Sequence, residues 1–132
     1  MKIKLNELES RIEKLNSLGA IKLPVELSYA ISKNIRLLAA EYKIFSQERQ
    51  KILEKNCIRD NNGQPIIENK EYTYENEQIK AAALEELKEL LDTEAEINAM
   101  NVDINTLKRC EDSQKFDTLT VSDVAALDFM IE

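Results

Sequence analysis

The sequence predicts a mainly helical α+β protein, in which an antiparallel helical hairpin with a long central helix is followed by a small β-hairpin and a short C-terminal helix. Three observations support this prediction. Apolar residues recur at helical spacing over long stretches, and the 132 residues include only 2 Gly and 2 Pro. An Asn-Gly pair also separates two short runs of β-prone residues.

The length suits one domain, residues 1–132. The sequence pattern divides this domain into five segments: 1–56 as the helical hairpin, 57–75 as the β-hairpin region, 76–95 as a third helix, 96–119 as an extended linker and 120–132 as the C-terminal helix. Aromatic residues make up only 5% of the chain and Trp is absent, so the predicted core is aliphatic.

Residues 1–21 are predicted to form the first amphipathic helix. Their apolar residues follow a 3-4-3 spacing that places Leu5, Leu8, Ile12 and Leu15 on one face. Gly19 can end this helix, and Pro24 can begin the next, because proline is accommodated in the first turn. A connection this short makes the two helices antiparallel neighbours.

The second helix, residues 24–56, carries a 4-3-4-3 repeat, the a/d pattern of a helix packed lengthwise against others. A helix of this length spans roughly 50 Å, so it needs partners along its whole length. We expect this seam to be an interaction surface, formed by Ile31, Ile35, Leu38, Tyr42, Phe45 and Arg49. Arg49 either packs its stem with the guanidinium in water, or pairs with a carboxylate of the acidic half or of another subunit.

Asn62-Gly63 predicts a hairpin with a type I′ turn, since both residues tolerate the positive φ angles that this turn requires. Pro65 is expected at an edge or a bulge, because it cannot donate a ladder hydrogen bond. The run Asp60-Asn61-Asn62-Gly63 does not fit an EF-hand calcium loop with Gly63 at its sixth position. Its first and twelfth positions would be Ile58 and Asn69, where carboxylates are needed.

The remaining elements are predicted from shorter signals. Asn76 is a suitable N-cap for the third helix, whose carboxylates form a solvated face. Residues 95–110 alternate with period two, which indicates one strand or an extended arm. Thr120 and Asp123 have the spacing of a capping box.

The C-terminal apolar residues must dock, either on the chain's own body or on another protein. We include them in the predicted interaction surface, as Leu127, Phe129, Met130 and Ile131.

The net charge of −7 is unevenly distributed along the chain. Residues 1–56 carry 11 basic and 7 acidic residues, a net of +4, whereas residues 57–132 carry 7 and 18, a net of −11. This asymmetry is compatible with packing of the two halves within one chain, or with head-to-tail contact between copies. It does not favour nucleic acid, because most basic residues are interleaved with Glu.

The residue types argue against most catalytic and metal chemistry. The chain has no His, no Gly-rich phosphate loop and no zinc-ligand set, and Cys57 and Cys110 are interpreted as ordinary thiols. We therefore predict that the protein is not an enzyme and has no cofactor or metal. The N-terminal residues are neither a signal peptide nor a membrane span, which predicts a cytoplasmic protein.

Three stretches resemble a family of short proteins of unknown function encoded by bacteriophages and prophages of Gram-positive bacteria. These are residues 22–34, the continuation 41–49 leading to Asp60-Asn61-Asn62-Gly63, and 122–132. The resemblance implies a small phage protein made in the bacterial cytoplasm. Its implied role is either in virion assembly, in which case it is associated with the virion, or in handling a host protein. The resemblance implies no catalytic residue.

The preferred hypothesis is a non-enzymatic, phage-encoded interaction or assembly protein that acts through coiled-coil-like helices. Its expected partner is a protein, either a second copy or a phage or host protein, with no direct nucleic acid and no membrane contact. The alternative hypothesis is an acidic inhibitor of a host nucleic-acid-binding defence protein. The salt dependence of binding distinguishes the two hypotheses, because a complex held by the acidic residues weakens steeply as ionic strength rises, whereas an apolar helical interface hardly changes.

Overall fold

The computed structural model describes all 132 residues and confirms the predicted fold class, a mainly helical α+β protein with a long central helix and a short C-terminal one. The helices are α1 (Leu8–Ser17), α2 (Val25–Glu54), α3 (Glu77–Leu91), α4 (Ile104–Lys108) and α5 (Val121–Leu127). The strands are β1 (Lys2–Lys4), β2 (Ile67–Glu68), β3 (Glu71–Tyr72) and β4 (Glu94–Glu96). Short 3-10 turns occupy Leu5–Glu7, Leu18–Ala20, Arg109–Glu111 and Asp128–Met130.

The predicted helix over residues 1–21 is wrong at its start, where the chain forms β1. This strand pairs antiparallel with β4, so that Ile3 lies opposite Ala95. Ile3 is buried while both neighbouring lysines are exposed, the alternation expected of a strand with one covered face. The Leu5 N–H then donates to the Thr93 carbonyl at 3.0 Å, which continues the pairing into the first turn.

The long helix matches its prediction to within two residues at each end. Pro24 precedes its first residue, and its 30 residues span roughly 45 Å. α2 packs on α1, confirming the helical hairpin, and farther along it packs on α3. Its buried residues are Leu27, Ala30, Ile31, Asn34, Leu38 and Phe45.

The β-hairpin region forms, but the type I′ turn predicted at Asn62-Gly63 is wrong. Only Gly63 has a positive φ there, of 77°. Asp60 organises this turn, because its Oδ1 accepts the N–H groups of Asn62 and Gln64 and its carbonyl accepts that of Gly63. The hairpin loop is therefore a turn followed by a glycine in the left-handed conformation, which is a common hairpin connection besides the type I′ turn.

The turn between β2 and β3 has the pair of positive φ angles instead. Asn69 and Lys70 adopt φ values of 52° and 66°. The two hairpins are joined by a ring of three backbone hydrogen bonds, in which Ile58 donates to Thr73, Thr73 to Ile66 and Ile66 to Ile58. Residues 57–75 therefore form one small three-segment unit at the end of α2.

The third helix ends earlier than predicted. Asn76 caps it as expected, with Oδ1 accepting the Ile79 N–H at 2.9 Å. The last two residues of the predicted helix, Glu94 and Ala95, instead belong to β4. The predicted linker over 96–119 is also wrong in part, since it contains α4, whose N-cap Asp103 accepts the Asn105 N–H.

The C-terminal helix begins at the predicted capping box, in which the Thr120 and Asp123 side chains each accept a backbone N–H of the other residue. The last residues then return to the chain's own core. Val102 and Ile131 form a parallel bridge, and Met130 is fully buried.

The molecule has two regions, which we call the body and the arm. The body comprises residues 1–45 and 94–132, and the arm comprises residues 46–93. The body contains the core, to which α1, the first half of α2, α4 and α5 contribute. The arm contains the second half of α2, the hairpin unit and α3.

Candidate interaction surfaces

The structure places the residues of the predicted interaction surface mainly in the body core. Half of them are buried: Ile31, Leu38, Phe45, Leu127 and Met130. The other half are partly exposed: Ile35, Tyr42, Arg49, Phe129 and Ile131. The buried members belong to one core cluster that also includes Leu8 and Leu15 of α1, so they are not presented to a partner in this conformation. Contact with a partner stays a prediction for the partly exposed members.

Arg49 lies beside an aromatic ring rather than in an ion pair. Its guanidinium carbon is 5.3 Å from the centroid of the Phe45 ring, within the range of a cation–π contact. The Arg49 side chain is partly exposed. Of the two interpretations from sequence, the packed stem with a solvated head is the one that this geometry matches.

A second stripe runs along α2 on the side opposite the core. It has the same 4-3-4-3 spacing as the buried seam, and every member is exposed: Tyr29, Lys33, Arg36, Ala40, Lys43 and Gln47. We call these six residues the outer stripe. It contains three cations and no acid, and none of the three cations is in an ion pair. Tyr29 is 60% exposed, a large apolar ring beside the first cation.

The exposed side of α3 has the opposite charge. We call the acidic face the set of Glu77, Glu85, Glu89 and Asp92, all exposed and none in an ion pair. Lys88 is the one cation among them, which leaves a net charge of −3. From the sequence, Glu85, Glu89 and Asp92 are predicted to form part of a solvated face, and Glu77 is predicted to lie in the first turn of the helix.

The hairpin unit caps the C-terminal end of α2. Carbonyls at a helix end lack intrahelical donors, and here side chains supply them. The Tyr74 hydroxyl donates to the Leu53 carbonyl at 2.6 Å, and the Arg59 guanidinium donates to the Glu54 carbonyl at 3.1 Å. Cys57 Sγ contacts the same Glu54 carbonyl at 3.2 Å.

Two tyrosines in this cap have altered acidities. The Tyr72 hydroxyl donates to Glu54 Oε1 at 2.9 Å. Burial, and then the hydrogen bond to the Glu54 carboxylate, raises the pKa of Tyr72. Burial also raises the pKa of Tyr74, whereas hydrogen bonds from Gln50 and Tyr72 lower the pKa of Glu54.

Asn34 is a buried polar residue that no sequence pattern had indicated. Its Oδ1 accepts the Met100 N–H at 2.7 Å, and its Nδ2 donates to the Met100 carbonyl at 2.9 Å. The side chain thus pairs both backbone groups of one residue, as a neighbouring strand would. This pairing fixes the extended segment between β4 and α4 against α2.

The surface cavities are open and shallow. The largest, about 430 Å³, lies beside the hairpin unit and is lined by polar residues that include Glu68, Glu71 and Lys80. An apolar cleft of about 280 Å³ lies between α4 and α5. No group of three or more Cys, Asp or Glu residues is arranged to hold a metal ion. Both cysteines are free, and burial raises the pKa of the Cys110 thiol.

The fold and its surfaces define a mainly helical α+β protein with a long two-helix arm. None of its helices combines the length and the apolar character needed to cross a membrane. Comparison with models of protein families, with curated proteins and with solved structures found no match.

Proposed function

We propose that the protein is a non-enzymatic, phage-encoded interaction protein, made in the bacterial cytoplasm or carried in the virion, and that its arm makes the contacts. The observation that carries this proposal is the sparse burial of the arm. Of the 19 buried residues, Ala83 is the only one in residues 46–93. A segment this long with almost no core of its own gains stability when a second surface covers it.

Large apolar side chains on and beside the arm are available to such a surface. Ile67 in the hairpin unit is 55% exposed and Leu84 on α3 is 50% exposed. Ile44, where α2 leaves the body, is 57% exposed. Single exposed apolar residues are common, but Ile67 and Leu84 occur in the arm, where little else is buried, and Ile44 lies next to it.

The test compares paired variants of the full chain, each carrying an affinity tag, in an extract of phage-infected Gram-positive cells. Replacing Ile67 and Leu84 by Ser should lower the amount of retained phage or host protein at least about tenfold, since both side chains lie in the arm. The matched control replaces two exposed apolar residues of the body, Val121 and Val124, by Ser, and should retain the wild-type amount.

Two results would reject the proposal. One is equal retention by the arm and body variants, which would place the contact outside the arm. The other is a wild-type chain that retains no protein from the extract and also shows no self-association when purified.

The acidic inhibitor is the second candidate function, and the acidic face of α3 favours it. Four carboxylates without ion-pair partners suit a strongly basic protein that normally holds nucleic acid. The partner retained in the extract test separates the two candidates. A basic partner released by moderate salt supports the inhibitor, and a partner that persists in salt supports the apolar arm contact.

A further inference from the structure

The outer stripe of α2 and the acidic face of α3 carry opposite charges on one chain but do not neutralise each other. The ion pair that joins this helix pair, at the end of α2, is Lys55 to Glu86, at 3.5 Å. The three cations of the outer stripe lie on the side of α2 opposite its buried seam and have no carboxylate within ion-pair distance. Both surfaces therefore remain free for another molecule.

The two surfaces also match in length and in side-chain size. The outer stripe extends over roughly 27 Å and α3 over roughly 22 Å, from their residue counts. Ala40 lies in the middle of the stripe, and Ala81 and Ala82 are exposed on α3. Small side chains allow two helices to approach closely, with the charged groups reaching across the contact.

We propose that the partner of the outer stripe is the acidic face of a second copy of this chain. This inference goes beyond the proposed function, because the outer stripe lies almost entirely on the body half of α2 and only the acidic face belongs to the arm. Charge complementarity supports a second copy, because one chain supplies both a cationic stripe and an anionic face of similar length. A copy with both surfaces can close as a reciprocal pair or continue as a head-to-tail series.

Exposed apolar residues border both charged surfaces and give the contact an apolar component. Tyr29 belongs to the outer stripe, and Ile44 follows Lys43 directly. Leu84 precedes Glu85 at the edge of the acidic face. The charges then set the register of the contact and its association rate, and the apolar groups exclude water around them.

The test uses two charge-reversal variants of the full chain. The first changes Lys33, Arg36 and Lys43 to Glu, and the second changes Glu85, Glu89 and Asp92 to Lys. All six positions are exposed, so the fold should persist, which far-ultraviolet circular dichroism checks. The control variant changes Lys14, Lys108 and Lys115 to Glu, which alters the net charge as much as the first variant on a different surface.

Light scattering on purified protein over a range of concentrations measures the outcome. Wild type and control should reach at least twice the chain mass of 15.2 kDa, and added salt should reduce this mass. Each reversed variant alone should have a Kd for self-association raised by about tenfold or more, so that it stays monomeric at concentrations where wild type associates. The equimolar mixture of the two reversed variants should associate again, because the acidic stripe of one now meets the basic face of the other.

Three results would overturn the inference: a wild type that is monomeric throughout, reversed variants that associate as wild type does, or folded variants whose mixture stays monomeric. A monomeric wild type whose outer stripe binds DNA would also overturn it. These results are distinguishable from failure of the proposed function. The measurement on purified protein contains no other partner. A chain that is monomeric there but still retains a phage or host protein through its arm would reject the self-association and leave the proposed function standing.

Discussion

The body and the arm share one unbroken helix, yet they bury side chains to very different extents. In the body, α2 packs on α1 and contributes Leu27, Ile31 and Leu38 to the core, and all three are buried. In the arm the same helix presents Ile52 and Leu53, and both remain partly exposed. The body is held by a core, whereas the arm is held by caps and by half-covered contacts. The body therefore supplies most of the stability, and the arm supplies exposed surface. The following three changes test this division.

The largest difference should come from the same truncation made in both regions. Leu127 is fully buried in the body, so Leu127→Ala should lower the free energy of unfolding by about 3 kcal/mol through lost burial and a residual cavity. Leu84 is half exposed in the arm, so Leu84→Ala should lower it by only about 0.5 kcal/mol. Urea denaturation of both variants measures the difference, and equal losses would contradict the division.

A smaller loss should follow from removing the amide that joins α2 to the extended segment of the body. Asn34→Ala leaves both backbone groups of Met100 without their partner, which should lower the free energy of unfolding by about 2 kcal/mol. The Met100 amide should also exchange its hydrogen faster. Asn16→Ala on the exposed side of α1 is the matched control and should change neither quantity. An unchanged Met100 exchange rate would show that the pairing does not hold this segment.

The smallest effect should be a pH dependence confined to the arm. Tyr72 and Tyr74 have pKa values raised above the usual 10.0, so folding favours their neutral forms. Their contribution is complete below pH 10.0 and is lost as the pH rises through the raised values. Hydrogen exchange should therefore speed up in residues 53–74 before it does so in the body. The double change of Tyr72 and Tyr74 to Phe should remove this alkaline step, and its persistence would exclude the two hydroxyls as the cause.

The elements that sequence reasoning predicted correctly are those fixed by neighbouring residues. Asn76 and Thr120 start their helices because each accepts an N–H three residues ahead. The heptad of α2 is also a local pattern, and its bounds were predicted closely. The strand β1 was missed because its three residues acquire their structure from β4, about ninety residues away in the sequence.

The surfaces were harder to predict than the elements, for a physical reason. A heptad shows which side of a helix is apolar, but it does not show whether the covering partner belongs to the same chain. Leu38 and Phe45 were therefore placed at an interface, although both are buried in the core of the same chain. The outer stripe has the same spacing with polar residues such as Lys33 and Arg36, which a search for apolar periodicity does not find.

The base of the arm has a consequence for how the molecule can vary. The chain leaves the body along α2 and returns at Thr93, where β1 and the Leu5 amide receive it. The outgoing end of this excursion is thus the unbroken helix α2, and the returning end is held by backbone pairing with β1 and by Leu90 and Leu91, which pack against the core. Whole helical turns could be added to or removed from α2 and α3 together without changing the pairing of β1 with β4. The distance of the hairpin unit from the body can therefore vary while the body stays the same.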